Sequence, residues 1–102
     1  LARTKVIKSG AFYECLKLKR ISMPYAISIG DGAFRWCISL KSIEIPPAVA
    51  DIGRDAFHYC TRLEQVVLHE GLGFIGENAF WKCSSLRAIA IPSSVTCISS
   101  GA

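Results

Sequence analysis

The alternation of apolar and polar positions along the 102 residues follows one rule, repeated. Short apolar pairs with a single residue between them recur as Ile21/Met23, Ile43/Ile45, Val66/Leu68 and Ile89/Ile91, and the period of two predicts a short strand at each. Pro24, Pro46 and Pro92 close three of the pairs, since proline cannot continue a ladder, and His69 closes the fourth. Upstream of each pair the spacing changes. Ala11, Phe12 and Cys15 recur as Ala33, Phe34 and Cys37, as Ala56, Phe57 and Cys60, and as Ala79, Phe80 and Cys83. Offsets of three and four put these side chains on one face of a helical turn. Gly10, Gly32, Asp55, Asn78 and Gly101 precede the alanine, residue types suited to a cap or to positive φ.

The successive Ala-Phe pairs are 22, 23 and 23 residues apart. Each cysteine is followed three residues later by Leu18, Leu40, Leu63 or Leu86. Beyond the strand, Ile27, Val49, Leu72 and Val95 lead to an invariant Ile29, Ile52, Ile75 and Ile98. A unit of this length cannot bury its apolar side alone, so the copies must stack, with strands in parallel about 4.8 Å apart and like residues in ladders. The chain begins within a unit and stops where the next Phe is due, so the expected organisation is a single array over residues 1–102. It holds about four units with partial units at both ends, as a segment of a longer solenoid. Ends of that kind invite neighbouring repeats or self-association.

The columns Ala-Phe-x-x-Cys-x-x-Leu and the Ile-x-Ile-Pro that follows closely resemble the BspA-type leucine-rich repeat, over essentially the whole chain. The resemblance implies an α/β leucine-rich-repeat solenoid, with a parallel β-sheet on one face and short helical turns on the other. It also implies recognition or adhesion at a cell surface, where arrays of this family bind proteins of a host or its matrix. Three departures stand out. One residue is missing between Pro24 and Ile29, Lys8 and Ser99 take the place of the glycine after the invariant Ile, and His69-Glu70-Gly71 replaces the proline turn.

Composition narrows the function more than it names it. Apolar residues make up 51% and charged ones 20%, which excludes a disordered tail, yet no run approaches the roughly 18 apolar residues of a membrane span. The net charge of +4 is concentrated at the start: six Lys/Arg face one Glu in residues 1–20, while six face seven carboxylates in the rest. Without aromatic residues interleaved among those cations, nucleic acid is a poor match.

Five cysteines invite metal or redox chemistry, but no Cys-x-x-Cys occurs and His58 and His69 lack ligand spacing. Four of the thiols share one column and read as small core residues, with a ladder disulfide as the alternative. Cys97 lies outside that column and reads as an accessible thiol. His58 stands two residues from Cys60, but Cys60 belongs to the ladder, so no catalytic pair is expected. No catalytic residue, metal or cofactor is assigned. Buried free thiols favour a reducing compartment and the family resemblance favours the cell surface, so the sequence leaves localisation open.

Two surfaces remain free for a partner. After each Phe come Tyr13, Arg35 with Trp36, His58 with Tyr59, and Trp81 with Lys82, on columns expected to face solvent, and Tyr, Trp and Arg are enriched at interface hot spots. On the strand face the outward positions include Glu44 and Val67. The sequence-based expectation is a non-catalytic scaffold for a protein or peptide partner, with Tyr13, Arg35, Trp36, Tyr59, Trp81, Glu44 and Val67 as candidate contacts. The competing reading is a spacer that binds nothing and sets the distance between other domains.

Overall fold

A computed structural model describes residues 3–101. Seven short strands run in chain order: β1 Val6–Ile7, β2 Ser28–Ile29, β3 Ser42–Glu44, β4 Asp51–Ile52, β5 Gln65–Val67, β6 Phe74–Ile75 and β7 Cys97–Ile98. All pair in parallel. One sheet has the order β1-β2-β4-β6-β7 and the other consists of β3 and β5. The register keeps equivalent residues together, with Ile29 against Ile52, Ile52 against Ile75 and Ile43 against Val66. This is a right consequence of a repeated unit: side chains of one column stack one above another and bury each other.

The five-stranded sheet is built on the invariant Ile, where no alternation is legible because each of its strands is only two residues long. Of the four strands expected at the alternating pairs, only the two in the central units form a ladder; residues 20–23 and 88–91 belong to no strand. At Gly30, Gly53 and Gly76 the unit before leaves no room for a side chain just beyond the invariant Ile, whereas Ser99 carries one after Ile98. A Cβ on Gly30 would come within 2.5 Å of the Ser9 backbone nitrogen, and one on Gly53 or Gly76 within 2.7 Å of the backbone nitrogen in the unit before. Lys8 has no described unit preceding it and escapes this limit.

The helical turns expected at Ala-Phe-x-x-Cys are not helical. Each is a pair of tight turns with two residues in the left-handed region: Gly10 and Glu14, Gly32 and Trp36, Asp55 and Tyr59, Asn78 and Lys82 have φ between 55° and 66°. A left-handed residue every fourth position stops a right-handed helix from propagating. The strain is offset by a third ladder of hydrogen bonds. Alternate backbone N–H groups donate to the next unit, Asp55 to Glu77 O, Phe57 to Ala79 O and Tyr59 to Trp81 O, at 2.8–2.9 Å. The N–H groups between them close turns within the unit, as Cys60 does on Phe57 O at 3.2 Å.

The core is a set of columns. Phe12, Phe34, Phe57 and Phe80 stack face to face with ring centroids 5.2–5.3 Å apart and interplanar angles of 2–7°. Ala33, Ala56, Ala79, Leu40 and Leu63 are completely buried beside them. The cysteine column is more than apolar filling. The thiols of Cys37, Cys60 and Cys83 each donate to the carbonyl of the Phe one unit earlier, Phe12, Phe34 and Phe57, at 3.1 Å. All five cysteines are free, Cys37, Cys60 and Cys83 buried and Cys97 exposed.

One column shifts in the first complete unit. Val49 and Leu72 are buried, whereas Ile27 is 47% exposed and Ala26 is buried in its place. The missing residue after Pro24 is the reason. Counting back from the invariant Ile, Ala26 lies three residues before Ile29 as Val49 lies three before Ile52, so the shortening moves Ile27 onto the outer side.

Candidate functional site

The positions after each Phe converge on one face of the array. Because the turn ladder aligns equivalent residues, Trp36 in the second unit and Tyr59 in the third are column neighbours, and their rings stack with centroids 4.2 Å apart at 11°. Trp81 stands one residue earlier in its own unit and meets Tyr59 edge-on at 5.5 Å. The result is a continuous stripe Trp36–Tyr59–Trp81 across three units. Both tryptophans keep more than a third of their surface exposed, 36% and 40%. The Lys82 ammonium lies 5.2 Å from the Trp81 ring centroid and adds a charge at that end.

Holding bulky residues at positive φ costs on the order of 1–2 kcal/mol each. At Trp36 and Tyr59 that strain is a property of the repeat, because Glu14 and Lys82 adopt the same conformation in the same column. It is not a mark of function by itself.

His58 was expected on the solvent-facing columns and is buried instead, 7% exposed. Tyr59 stacks on its ring at 4.8 Å and Trp81 covers it edge-on at 4.7 Å. Its Nδ1 lies 3.1 Å from Asp55 Oδ1, so the N–H at that atom donates to the carboxylate, while the buried Nε2 has no partner. The histidine acts as a fixed floor beneath the aromatic rings. Sequence reasoning missed this because burial here is set by ring size in the neighbouring unit. Arg35, the adjacent member of the column, is half-buried with its Nε unpartnered.

The other candidates separate into two places. Tyr13 is 48% exposed at the start of the same face, and no aromatic ring pair among the described residues includes it. Glu44 and Val67 lie on the smaller sheet, directly opposite each other in the β3–β5 register, and both point outward. Glu44 Oε2 is 2.9 Å from His69 Nε2, which ties the strand end to the turn that replaces the proline. Beside them a shallow groove of ≈ 530 Å³ opens between Arg20–Pro24 and Ser42–Pro47.

Among the described residues no group of three His, Cys, Asp or Glu side chains could hold a metal ion. His58 Nδ1 and Cys60 Sγ are engaged by Asp55 Oδ1 and Phe34 O respectively. Burial pushes the Cys37 and Cys83 thiols up to about 11 and Cys60 higher still, away from the thiolate a nucleophile needs. Among the described residues no helix is long and apolar enough to cross a membrane.

Comparison with known proteins agrees with the stacked columns. A leucine-rich repeat protein of T. pallidum superimposes with a TM-score of 0.92 at 37% identity, over 95% of this chain and 46% of that one. A leucine-rich repeat protein of Bacteroides ovatus ATCC 8483 matches at a TM-score of 0.84 and 35% identity, over 92% of this chain and 24% of that one. A leucine rich cell surface protein of Faecalibacterium prausnitzii A2-165 matches at a TM-score of 0.67 and 29% identity, over 90% and 32%. The chain thus spans less than half the length of each of these structures. No curated protein sequence matches it significantly. The BspA type leucine-rich repeat region matches residues 5–102 in six copies, and the chain belongs to that family of repeat proteins.

Proposed function

We propose that the array is a non-catalytic protein-interaction scaffold that takes its partner on the stripe Trp36–Tyr59–Trp81, with Arg35 and Tyr13 at its margin. The observation that carries this reading is the stripe itself: three large rings on consecutive units, braced from below by His58 and still partly open to solvent. Rigid, half-exposed Trp and Tyr side chains give contact area at low entropic cost, which is why they recur at hot spots. The repeat does not demand them, because Glu14 and Lys82 occupy the same column elsewhere in the chain. Glu44 and Val67 form a second, smaller surface on the sheet, available to the same partner's flanks. Recognition or adhesion at a cell surface is the finer reading, supported by the similarity to a protein described as a leucine rich cell surface protein.

The test is affinity capture with the chain as bait, comparing wild type, Trp36→Ala/Trp81→Ala and Glu44→Ala/Val67→Ala. A partner held on the stripe should be lost from the tryptophan variant, with affinity down at least about 30-fold for hot-spot residues worth 2 kcal/mol or more. The sheet variant should retain it. A partner that both variants retain equally would overturn binding on the stripe, and no partner at all would favour the spacer.

A further inference from the structure

The Lys and Arg side chains are not spread evenly over the array. The four positions around each column leucine, from the residue before it to the second after it, are 17–20, 39–42, 62–65 and 85–88. These positions carry Lys17, Lys19, Arg20, Lys41, Arg62 and Arg87, half of the chain's 12 Lys and Arg, against a single carboxylate, Glu64. All six cations are exposed, and none is paired with a carboxylate among the described residues. Backbone hydrogen bonds align the column directly: Lys41 N–H donates to Lys19 O at 3.0 Å, and Glu64 N–H to Lys41 O at 2.8 Å. The carboxylates gather elsewhere, with Asp31, Asp51, Asp55 and Glu77 on the segments around the invariant Ile. The array therefore has a cationic ridge running along its stacking direction, over roughly 15 Å for four units at strand spacing.

We propose that this ridge binds a linear sulfated polysaccharide. The cations form a narrow band, with Lys17 and Arg62 in the column before the leucine and Lys19, Lys41 and Arg87 in the column after it, where Glu64 interrupts the run. Such a band matches a polymer with its negative charges strung along one chain, and guanidinium and ammonium groups both donate well to sulfate oxygens. Between the cations stand hydrogen-bonding side chains, Ser39, Ser42, Gln65 and Ser85, suited to sugar hydroxyls. A polar depression of ≈ 680 Å³ opens at the ridge between Glu64 and Ser84, Ser85 and Arg87, with Arg87 opposing the single carboxylate there. Other polyanions fit less well. The sixteen positions contain no aromatic residue on which a base could stack. A DNA duplex presents phosphates on two strands flanking a groove, whereas the ridge offers one narrow band. An acidic peptide would need apolar anchors, and apart from Leu16 at one end the ridge exposes none. This surface is distinct from the aromatic stripe and stands or falls independently of it.

Titration of the chain with heparin at about 0.15 M ionic strength tests the proposal. Lys19→Gln/Lys41→Gln removes two neighbouring ridge charges, and Lys5→Gln/Lys8→Gln removes the same net charge from exposed positions off the ridge. The ridge variant should lose at least about tenfold in affinity and its salt dependence should flatten by about two in log–log slope, while the off-ridge variant changes less than about threefold. Heparin should also outcompete polyglutamate and duplex DNA of equal charge concentration. Equal losses in the two variants, equal competition by polyglutamate or DNA, or undiminished binding of desulfated heparin would each overturn it.

Discussion

Replacing Phe57 with Ala should destabilise the fold by about 3–5 kcal/mol, the range for truncating a buried Phe. Phe57 has no exposed surface and is sandwiched between Phe34 at 5.2 Å and Phe80 at 5.3 Å, both nearly parallel to it. Removing the ring opens a gap in a column that cannot collapse. The backbone on either side is held by the ladder bonds from Phe34 N–H to Ala56 O and from Phe57 N–H to Ala79 O, each 2.8 Å. For a domain of this size the loss approaches the whole of an ordinary folding free energy. Urea unfolding followed by circular dichroism is the measurement, and a cost under about 1 kcal/mol would place the ring outside the core.

The cysteines should differ in reactivity by at least about 100-fold at neutral pH, with Cys97 first and Cys60 last. Maleimide reacts with the thiolate, so both access and proton affinity count. Cys97 is exposed, whereas Cys37, Cys60 and Cys83 are buried and hydrogen-bonded to carbonyls that a thiolate would repel. Burial raises Cys37 and Cys83 from 9.0 to about 11 and Cys60 further. The sign for stability follows. A thiol with a raised folded pKa stays neutral in the native state but ionises on unfolding, so its contribution is complete below about pH 9 and is lost as pH rises towards 11 and beyond. Native labelling with mass mapping should therefore show the order, and thermal stability should fall above about pH 9. Labelling of Cys37 or Cys60 ahead of Cys97 contradicts the buried thiol ladder.

What the sequence disclosed depended on whether a structural demand repeats. The Phe, Cys and Leu columns were readable because every unit meets the same neighbours, so identical residues recur. The first left-handed residue of each turn, Gly10, Gly32, Asp55 or Asn78, was legible from its type, but the second was hidden, since Glu14, Trp36, Tyr59 and Lys82 share a conformation but no chemistry, and the three- and four-residue spacing of Ala, Phe and Cys imitates a helix. Strands of two residues have no period to detect. The sequence showed the one-residue shortening before Ile29 but not that Ala26 rather than Ile27 would be buried, which the pairing of Ile29 with Ile52 exposes. At the candidate site, the sequence placed Trp36, Tyr59 and Trp81 on one face. It could not show that they touch, or that His58 lies beneath them, because both depend on ring sizes across unit boundaries. The cationic ridge was partly visible as a basic start to the chain, but Lys41, Arg62 and Arg87 joined it only once the units were stacked.

That the units stack in register is the claim on which both surfaces rest, and a double-mutant cycle on the phenylalanine column tests it most directly. Phe34→Leu and Phe57→Leu, singly and together, remove two rings that are in contact, whereas Phe12→Leu with Phe57→Leu removes two rings separated by Phe34. Adjacent rings should couple by about 0.5–1.5 kcal/mol, the range for stacked aromatic pairs, and the separated pair should be additive within about 0.3–0.5 kcal/mol. Additivity in both cycles, or stronger coupling for the separated pair, would contradict the stacked array.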